Sequence, residues 1–196
     1  MYDPELVLFP EGLDVLEEVP EDYEISEFDE VRTHQSAEIM HDVFSEEVIA
    51  NWPDLPSETK EAYLDEYSAR LAESLGIEPL DVVMEYGMGP NELGYTVGND
   101  GTVHINADYI NSGSNLAIVL NTVTHETRHC FQQAAIQNPE QFPDIPQEVI
   151  EQWNYEWVNY IDCSYDPEGY FNQAIEIDAR NFGEDVYEEY EQMLDF

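Results

Sequence analysis

Basic residues are scarce in this chain of 196 residues, where five Lys and Arg stand against 45 Asp and Glu. The formal net charge is −40. A field of this sign repels nucleic-acid phosphates and anionic membrane surfaces, whereas it attracts cations and basic proteins. We therefore expect a peptide or protein partner that is basic, and neither nucleic acid nor membrane as a partner. The structural alternative for the charge is a solvated acidic surface.

Long apolar runs and cysteines are also few. No apolar run approaches the roughly 18 residues of a membrane helix, and the first residues lack the positive charges of a secretory signal. Two cysteines, Cys130 and Cys163, do not make a disulfide framework, so we expect reduced thiols, with a single disulfide as the alternative. These absences favour a cytoplasmic protein, with export by a signal-less route as the alternative.

The first 35 residues are dense in acid and proline, and Pro4, Pro10 and Pro20 interrupt short apolar clusters. This composition is typical of a segment that buries too little apolar surface to order itself. We predict an acidic irregular N-terminal extension over residues 1–35 and one domain over residues 36–196. That domain is long enough to bury a core of its own.

Hydrophobic periodicity predicts an α+β domain with several helices and a small antiparallel or mixed sheet. Apolar residues at helical spacing predict helices over 36–52, 58–75, 115–136, 147–161 and 166–183. Runs rich in β-formers predict strands over 80–86, 94–98 and 102–106, and Asp100-Gly101 between the last two is a hairpin signal. We expect the hairpin to pack against helix 115–136, and Gly183 to bend the last helix before an acidic tail.

The predicted helix 115–136 contains the sequence His125-Glu126-Thr127-Arg128-His129. Residues four apart lie on the same face of a helix, so His125 and His129 can bind one metal ion. Zinc accepts imidazole nitrogens at about 2.0–2.1 Å, and Glu126 beside the first ligand can act as general base towards a water. The motif predicts a Zn²⁺ site with hydrolytic chemistry; a core helix with coincidental histidines is the alternative.

A hairpin, a helix with H-E-x-x-H and a later helix with Glu176-Ile177-Asp178-Ala179 resemble the zincin metallopeptidases, most of all their compact gluzincin branch. The resemblance covers residues 78–183. It implies a zincin-like core in which Glu176 is the third zinc ligand and Ala179 lets two helices approach closely. It also implies that strand 102–106 is an edge strand along which an extended peptide can pair.

The resemblance further implies roles for residues around the metal. Asp178 and Arg180 are expected to orient the metal-binding residues without binding the metal themselves. The family has Asp or Asn where this chain has Arg180. An oxyanion donor or substrate contact is expected from one or more of Tyr170, Arg128, His104, Asn106, Tyr155 and Tyr165. The structural alternatives are an ion pair with a buried carboxylate for Arg128 and an ordinary polar strand position for His104.

Two classes of function follow. In the first, the protein is a zinc metallopeptidase that hydrolyses peptide bonds of a basic peptide or protein, with Glu126 as the general base. In the second, it is an inactive, highly acidic zincin-like protein that imitates DNA phosphate and captures a basic protein. Both classes can bind zinc, so metal content does not separate them, whereas cleavage does.

Overall fold

The computed structural model describes residues 27–89, 92–97, 100–112 and 115–194. In these residues three short strands form one mixed sheet: β1 (Asp81–Glu85), β2 (Gly94–Thr96) and β3 (Thr102–Asn106). The strand order is β1-β3-β2, with β1 parallel and β2 antiparallel to β3. The predicted hairpin of β2 and β3 is confirmed. The prediction that strand 102–106 lies at an edge is wrong, because β3 is paired on both sides.

Eight α-helices accompany the sheet in the described residues, and the α+β prediction is confirmed. Two short 3-10 segments, Trp52–Asp54 and Pro139–Gln141, connect some of them. The helices are α1 (Glu27–Val43), α2 (Glu46–Asn51), α3 (Ser57–Leu75), α4 (Ala107–Asn111), α5 (Leu116–Gln137), α6 (Gln147–Val158), α7 (Pro167–Phe171) and α8 (Ala174–Met193).

The first helix begins earlier than the sequence pattern predicted. Helix α1 starts at Glu27, so residues 27–35 are helical and not part of an irregular extension, while residues 1–26 lie outside the described residues. The reason is long-range pairing that local composition does not reveal. Asp29 is buried against Arg128, and Arg32 donates to Asp144 at 2.6 Å. The predicted boundary at residue 35 therefore falls inside a helix.

The last predicted helix is two helices. Helix α7 ends at Phe171, and α8 continues through Gly183 to Met193, so the residues expected as a bend and an acidic tail are helical. The helix continues because Val186 and Tyr190 extend its buried face. Gly183 marks a close approach between helices, since a Cβ there would lie 2.6 Å from Asn121 Oδ1 on α5.

Helix α5 lies at the centre of the molecule, with α3, α6, α8 and the sheet packed around it. Its buried face includes Leu120, Val123 and Phe131. The outer edge of β1 is covered by α3, because the Val82 and Met84 amides donate to the carboxylates of Asp65 and Glu61 at 2.8 and 3.1 Å. Side-chain acceptors thus satisfy backbone donors that an open edge would expose. Among the described helices, none has the length and apolar character needed to cross a membrane.

Candidate metal centre

Helix α5 presents both histidines of the motif on one buried face. The helix starts at an Asn115 cap, whose side-chain oxygen accepts from the Ala117 amide at 3.0 Å. His125 and His129 follow one turn apart, and their ring centroids are 4.5 Å apart with the planes almost perpendicular at 88°. Both side chains are buried. The helical spacing therefore places two imidazoles against each other inside the protein.

Glu176, in the first turn of α8, completes a group of three ligand-type side chains. His125 Nε2 and His129 Nε2 are 3.0 Å apart. His125 Nε2 lies 3.5 Å from Glu176 Oε2, and His129 Nε2 lies 3.4 Å from Glu176 Oε1. Tetrahedral ligands at about 2.0–2.1 Å from zinc are about 3.3 Å from one another. The three separations thus fit one metal ion, and this buried group can hold one.

The charge state of the group also suits a cation. Burial, with a smaller effect of His129, lowers the pKa of His125 to about 4, although Glu176 opposes the shift. Burial on its own would raise the pKa of Glu176, but the two histidines and the Tyr170 hydroxyl outweigh it and hold that pKa at about 2. At neutral pH His125 is therefore neutral with a lone pair to offer, and Glu176 is an anion.

Glu126 and Tyr170 lie beside the three ligand-type residues. Glu126 follows His125 on α5 and is fully buried. Burial, together with the negative charges of Glu176 and Glu126, raises the pKa of Tyr170 well above its usual value. The Tyr170 hydroxyl consequently stays protonated and can donate a hydrogen bond at any physiological pH.

Tyr160 is a contact that the sequence pattern did not single out. Its hydroxyl donates to Glu176 Oε1 at 2.8 Å, and its ring lies edge-on to Tyr170 with centroids 6.1 Å apart. Two phenols, from Tyr160 and Tyr170, therefore hold the carboxylate of Glu176. The only sequence signal for Tyr160 is an aromatic residue near the end of the predicted helix 147–161.

Gln132 is the second residue that the sequence pattern missed. It lies one turn after His129 on α5, and its Oε1 is 2.8 Å from His129 Nδ1. Its Nε2 donates to Asp178 Oδ2 at 2.6 Å and to the Ile175 carbonyl at 2.9 Å. Asp178 thus contacts His129 indirectly, through Gln132.

Arg128 forms a buried ion pair, which is the structural alternative considered for it. The side chain is fully buried and bonds to Asp29 and Asp178. Arg180 Nη2 donates to the Phe171 carbonyl at 2.5 Å, and its guanidinium lies over the Phe171 ring. The side chain that contacts His129 Nδ1 is Gln132.

The remaining candidates for substrate contacts have other partners or are exposed. His104 stacks on Tyr95 with centroids 4.5 Å apart and contacts Glu85 at 3.1 Å, so it is an ordinary polar strand residue. Asn106 caps α4 through the Tyr109 amide and donates to two loop carbonyls, which uses both ends of its side chain. Tyr155 and Tyr165 are on the surface.

Comparison with protein-family models, with curated proteins and with solved structures gives no match. The resemblance to zincins therefore rests on the motif residues and on the geometry of His125, His129 and Glu176.

Proposed function

We propose that this protein is a zinc-dependent metallopeptidase in which His125, His129 and Glu176 hold Zn²⁺ and Glu126 is the general base. The observation that carries the proposal is the triangle of ligand atoms, with sides of 3.0, 3.4 and 3.5 Å, beside a buried glutamate. Two nitrogens and one carboxylate are a donor set typical of catalytic zinc. On this proposal α5, the sheet and α8 form a zincin-like core.

The chemistry that a bound zinc ion supplies is polarisation of the scissile carbonyl and activation of a water. Glu126 accepts a proton from that water at its carboxylate and passes it to the leaving amine. The Tyr170 hydroxyl, whose raised pKa keeps it protonated, would turn its one proton from Glu176 towards the oxygen on which negative charge develops, while Tyr160 keeps its hydrogen bond to Glu176. The surrounding burial excludes bulk water, so each of these interactions acts in a medium of low dielectric constant.

One observation favours the second candidate, an inactive metal-binding protein that captures a basic partner. Glu126 is 0% exposed and none of the three ligand-type residues exceeds 3%. A peptide reaches such a group only when neighbouring residues move aside. A buried metal that stabilises the fold, together with the net charge of −40, would serve a binding protein without any cleavage.

The two candidates are separated by the substitution Glu126→Gln, tested on zinc-loaded protein with a denatured, lysine-rich protein mixture as substrate. The proposal predicts that wild type cleaves, and that the variant keeps its zinc but loses cleavage by about 10²-fold or more, because only proton transfer is removed. Glu140→Gln, on an exposed 3-10 segment, is the matched control and should cleave like wild type. Equal cleavage by Glu126→Gln, or none by zinc-loaded wild type, contradicts the proposal.

A further inference from the structure

The orientation of the Gln132 side-chain amide is determined by two groups that only accept hydrogen bonds. Its nitrogen Nε2 lies 2.9 Å from the Ile175 carbonyl oxygen and 2.6 Å from Asp178 Oδ2. The Asp178 carboxylate in turn accepts from Arg128 Nε and Nη2, both at 2.8 Å. A flipped amide would place its oxygen against both acceptors, so the Gln132 oxygen must face the other way.

That oxygen, Gln132 Oε1, faces His129 Nδ1 at 2.8 Å. An amide oxygen accepts and cannot donate, so the hydrogen bond requires a proton on Nδ1. A neutral imidazole carries one N–H, and its other nitrogen then has the free lone pair. In His129 that other nitrogen is Nε2, the atom that lies 3.0 Å from His125 Nε2 and 3.4 Å from Glu176 Oε1.

We infer that Gln132 is a positioning residue for the metal, which keeps His129 in the tautomer protonated on Nδ1 so that Nε2 can bind. This role rests on the proposed metal site, and it explains how Gln132 prepares His129 to bind the metal. Asp178 acts through Gln132, because its carboxylate accepts from the amide and sets the amide orientation. Arg128 acts one step further away, because it holds the Asp178 carboxylate in place. The chain of contacts extends to Asp29 on α1, whose carboxylate accepts from Arg128 at 2.7 and 2.9 Å.

Four of the five side chains in this series, those of His129, Gln132, Arg128 and Asp29, are at most 4% exposed, and the Asp178 side chain is 15% exposed. Water therefore does not readily replace a lost partner, and the hydrogen bond of Gln132 to His129 has no ready substitute. Removing such a partner of a metal-binding histidine typically weakens metal affinity by about 10- to 100-fold. If Gln132 only filled space in the core, a leucine of similar volume at this position would leave the zinc affinity unchanged.

Gln132→Leu and Gln133→Leu make a matched pair for the test. Gln133 is the next residue of α5 and is also buried, so the two substitutions remove the same polar group from neighbouring core positions. Zinc dissociation constants are measured by competition with a chromogenic chelator. We expect Gln132→Leu to bind zinc about 10- to 100-fold more weakly than wild type, and Gln133→Leu to bind it as wild type does.

Gln132→Leu tests positioning because it removes the acceptor for His129 Nδ1 with little change in side-chain volume. Equal zinc affinity of Gln132→Leu and Gln133→Leu overturns the inference. If wild type binds no zinc at all, the proposed function is wrong. The tautomer of His129 in the metal-free protein then tests the role of Gln132 on its own.

The tautomer is read directly in metal-free wild type, which needs no variant to fold. Long-range ¹H–¹⁵N correlation spectra of ¹⁵N-histidine protein at pH 8 distinguish a proton on Nδ1 from a proton on Nε2. We expect His129 to carry its proton on Nδ1. A spectrum showing His129 protonated on Nε2 overturns the inference, whether or not the protein binds zinc.

Discussion

Arg128 and Asp178 are joined by two hydrogen bonds of 2.8 Å, from Nε and Nη2 of the guanidinium to the two carboxylate oxygens. The same guanidinium bonds to both oxygens of Asp29, so one cation on α5 joins a carboxylate of α1 to one of α8. Its face also lies 4.5–4.7 Å from the ring centroids of Phe182 and Phe131. Helix α5, which carries His125 and His129, is thus tied to the two helices beside it by a single buried side chain.

We predict that Arg128→Leu destabilises the protein by about 3–5 kcal/mol, because it leaves the buried Asp29 carboxylate and the mostly buried Asp178 carboxylate without their cation. Burial already raises the pKa of Asp29 despite the attraction of Arg128, so a negative charge on this carboxylate is unfavourable in the folded state. The free energy of unfolding from urea denaturation measures the effect. Arg70→Leu is the control, since Arg70 pairs with Asp42 on the surface and should cost no more than about 1 kcal/mol.

A loss of under about 1 kcal/mol for Arg128→Leu would contradict this account. It would mean that Asp29 and Asp178 take up protons or reach water without difficulty. In that case the double variant Asp29→Asn with Arg128→Leu would be no more stable than Arg128→Leu alone.

The close contact of α5 with α8 leads to a second prediction. Ala179 is fully buried on α8, one turn before Gly183, so two small residues allow the helices to approach. Ala179→Leu should destabilise the fold by about 1–3 kcal/mol through overpacking, and should weaken zinc binding because Glu176 is on the same helix. Ala50→Leu, at an exposed position of α2, is the control for the substitution itself. An Ala179→Leu variant with wild-type stability and zinc affinity would show that the helices can separate freely.

The pH dependence of stability should depend on Glu184. Burial, with the charges of Asp185 and Glu188, raises its pKa from 4.5 to about 7, and Arg180 opposes the shift. The folded state then binds a proton more readily than the unfolded state, so the free energy of unfolding increases as pH falls from 8 to 5. Glu184→Gln removes this contribution and should be more stable than wild type at pH 8, by about 1 kcal/mol after allowance for its partial exposure.

The measurement is urea denaturation of both proteins at pH 8 and pH 5, with Glu46→Gln on the exposed start of α2 as the control for loss of one negative charge. At pH 5 the difference between wild type and Glu184→Gln should shrink. A Glu184→Gln variant that is less stable than wild type at pH 8 would show that the ionised carboxylate stabilises the fold.

Local patterns predicted the parts of this site that are close in sequence. His125, Glu126 and His129 lie within five residues on one strongly periodic helix, so helical geometry alone brings them together. Glu176 was predicted only through the resemblance to zincins, yet the structure places it against both histidines. The hairpin followed from turn chemistry at Asp100-Gly101 in the same local way.

Contacts between distant segments could not be predicted from one sequence. Asp29 looked like one more acid in an acidic segment, because nothing local marks it as the partner of Arg128, 99 residues away. Strand β3 was expected at an edge only from the resemblance to zincins, and its parallel pairing with β1 leaves no turn signal in the sequence that would have corrected this. Gln132 looked like an ordinary helical residue, since its role depends on Asp178 and Ile175, which α8 brings close.

The most direct test of the account is the zinc content of purified protein, measured by elemental analysis after dialysis against metal-free buffer. The account predicts one zinc per chain in wild type and almost none in His125→Ala, because that variant removes one of three ligands. His34→Ala, at an exposed histidine of α1, should keep its zinc. Wild type without bound zinc, or His125→Ala with undiminished zinc, would contradict the metal centre on which the proposed function depends.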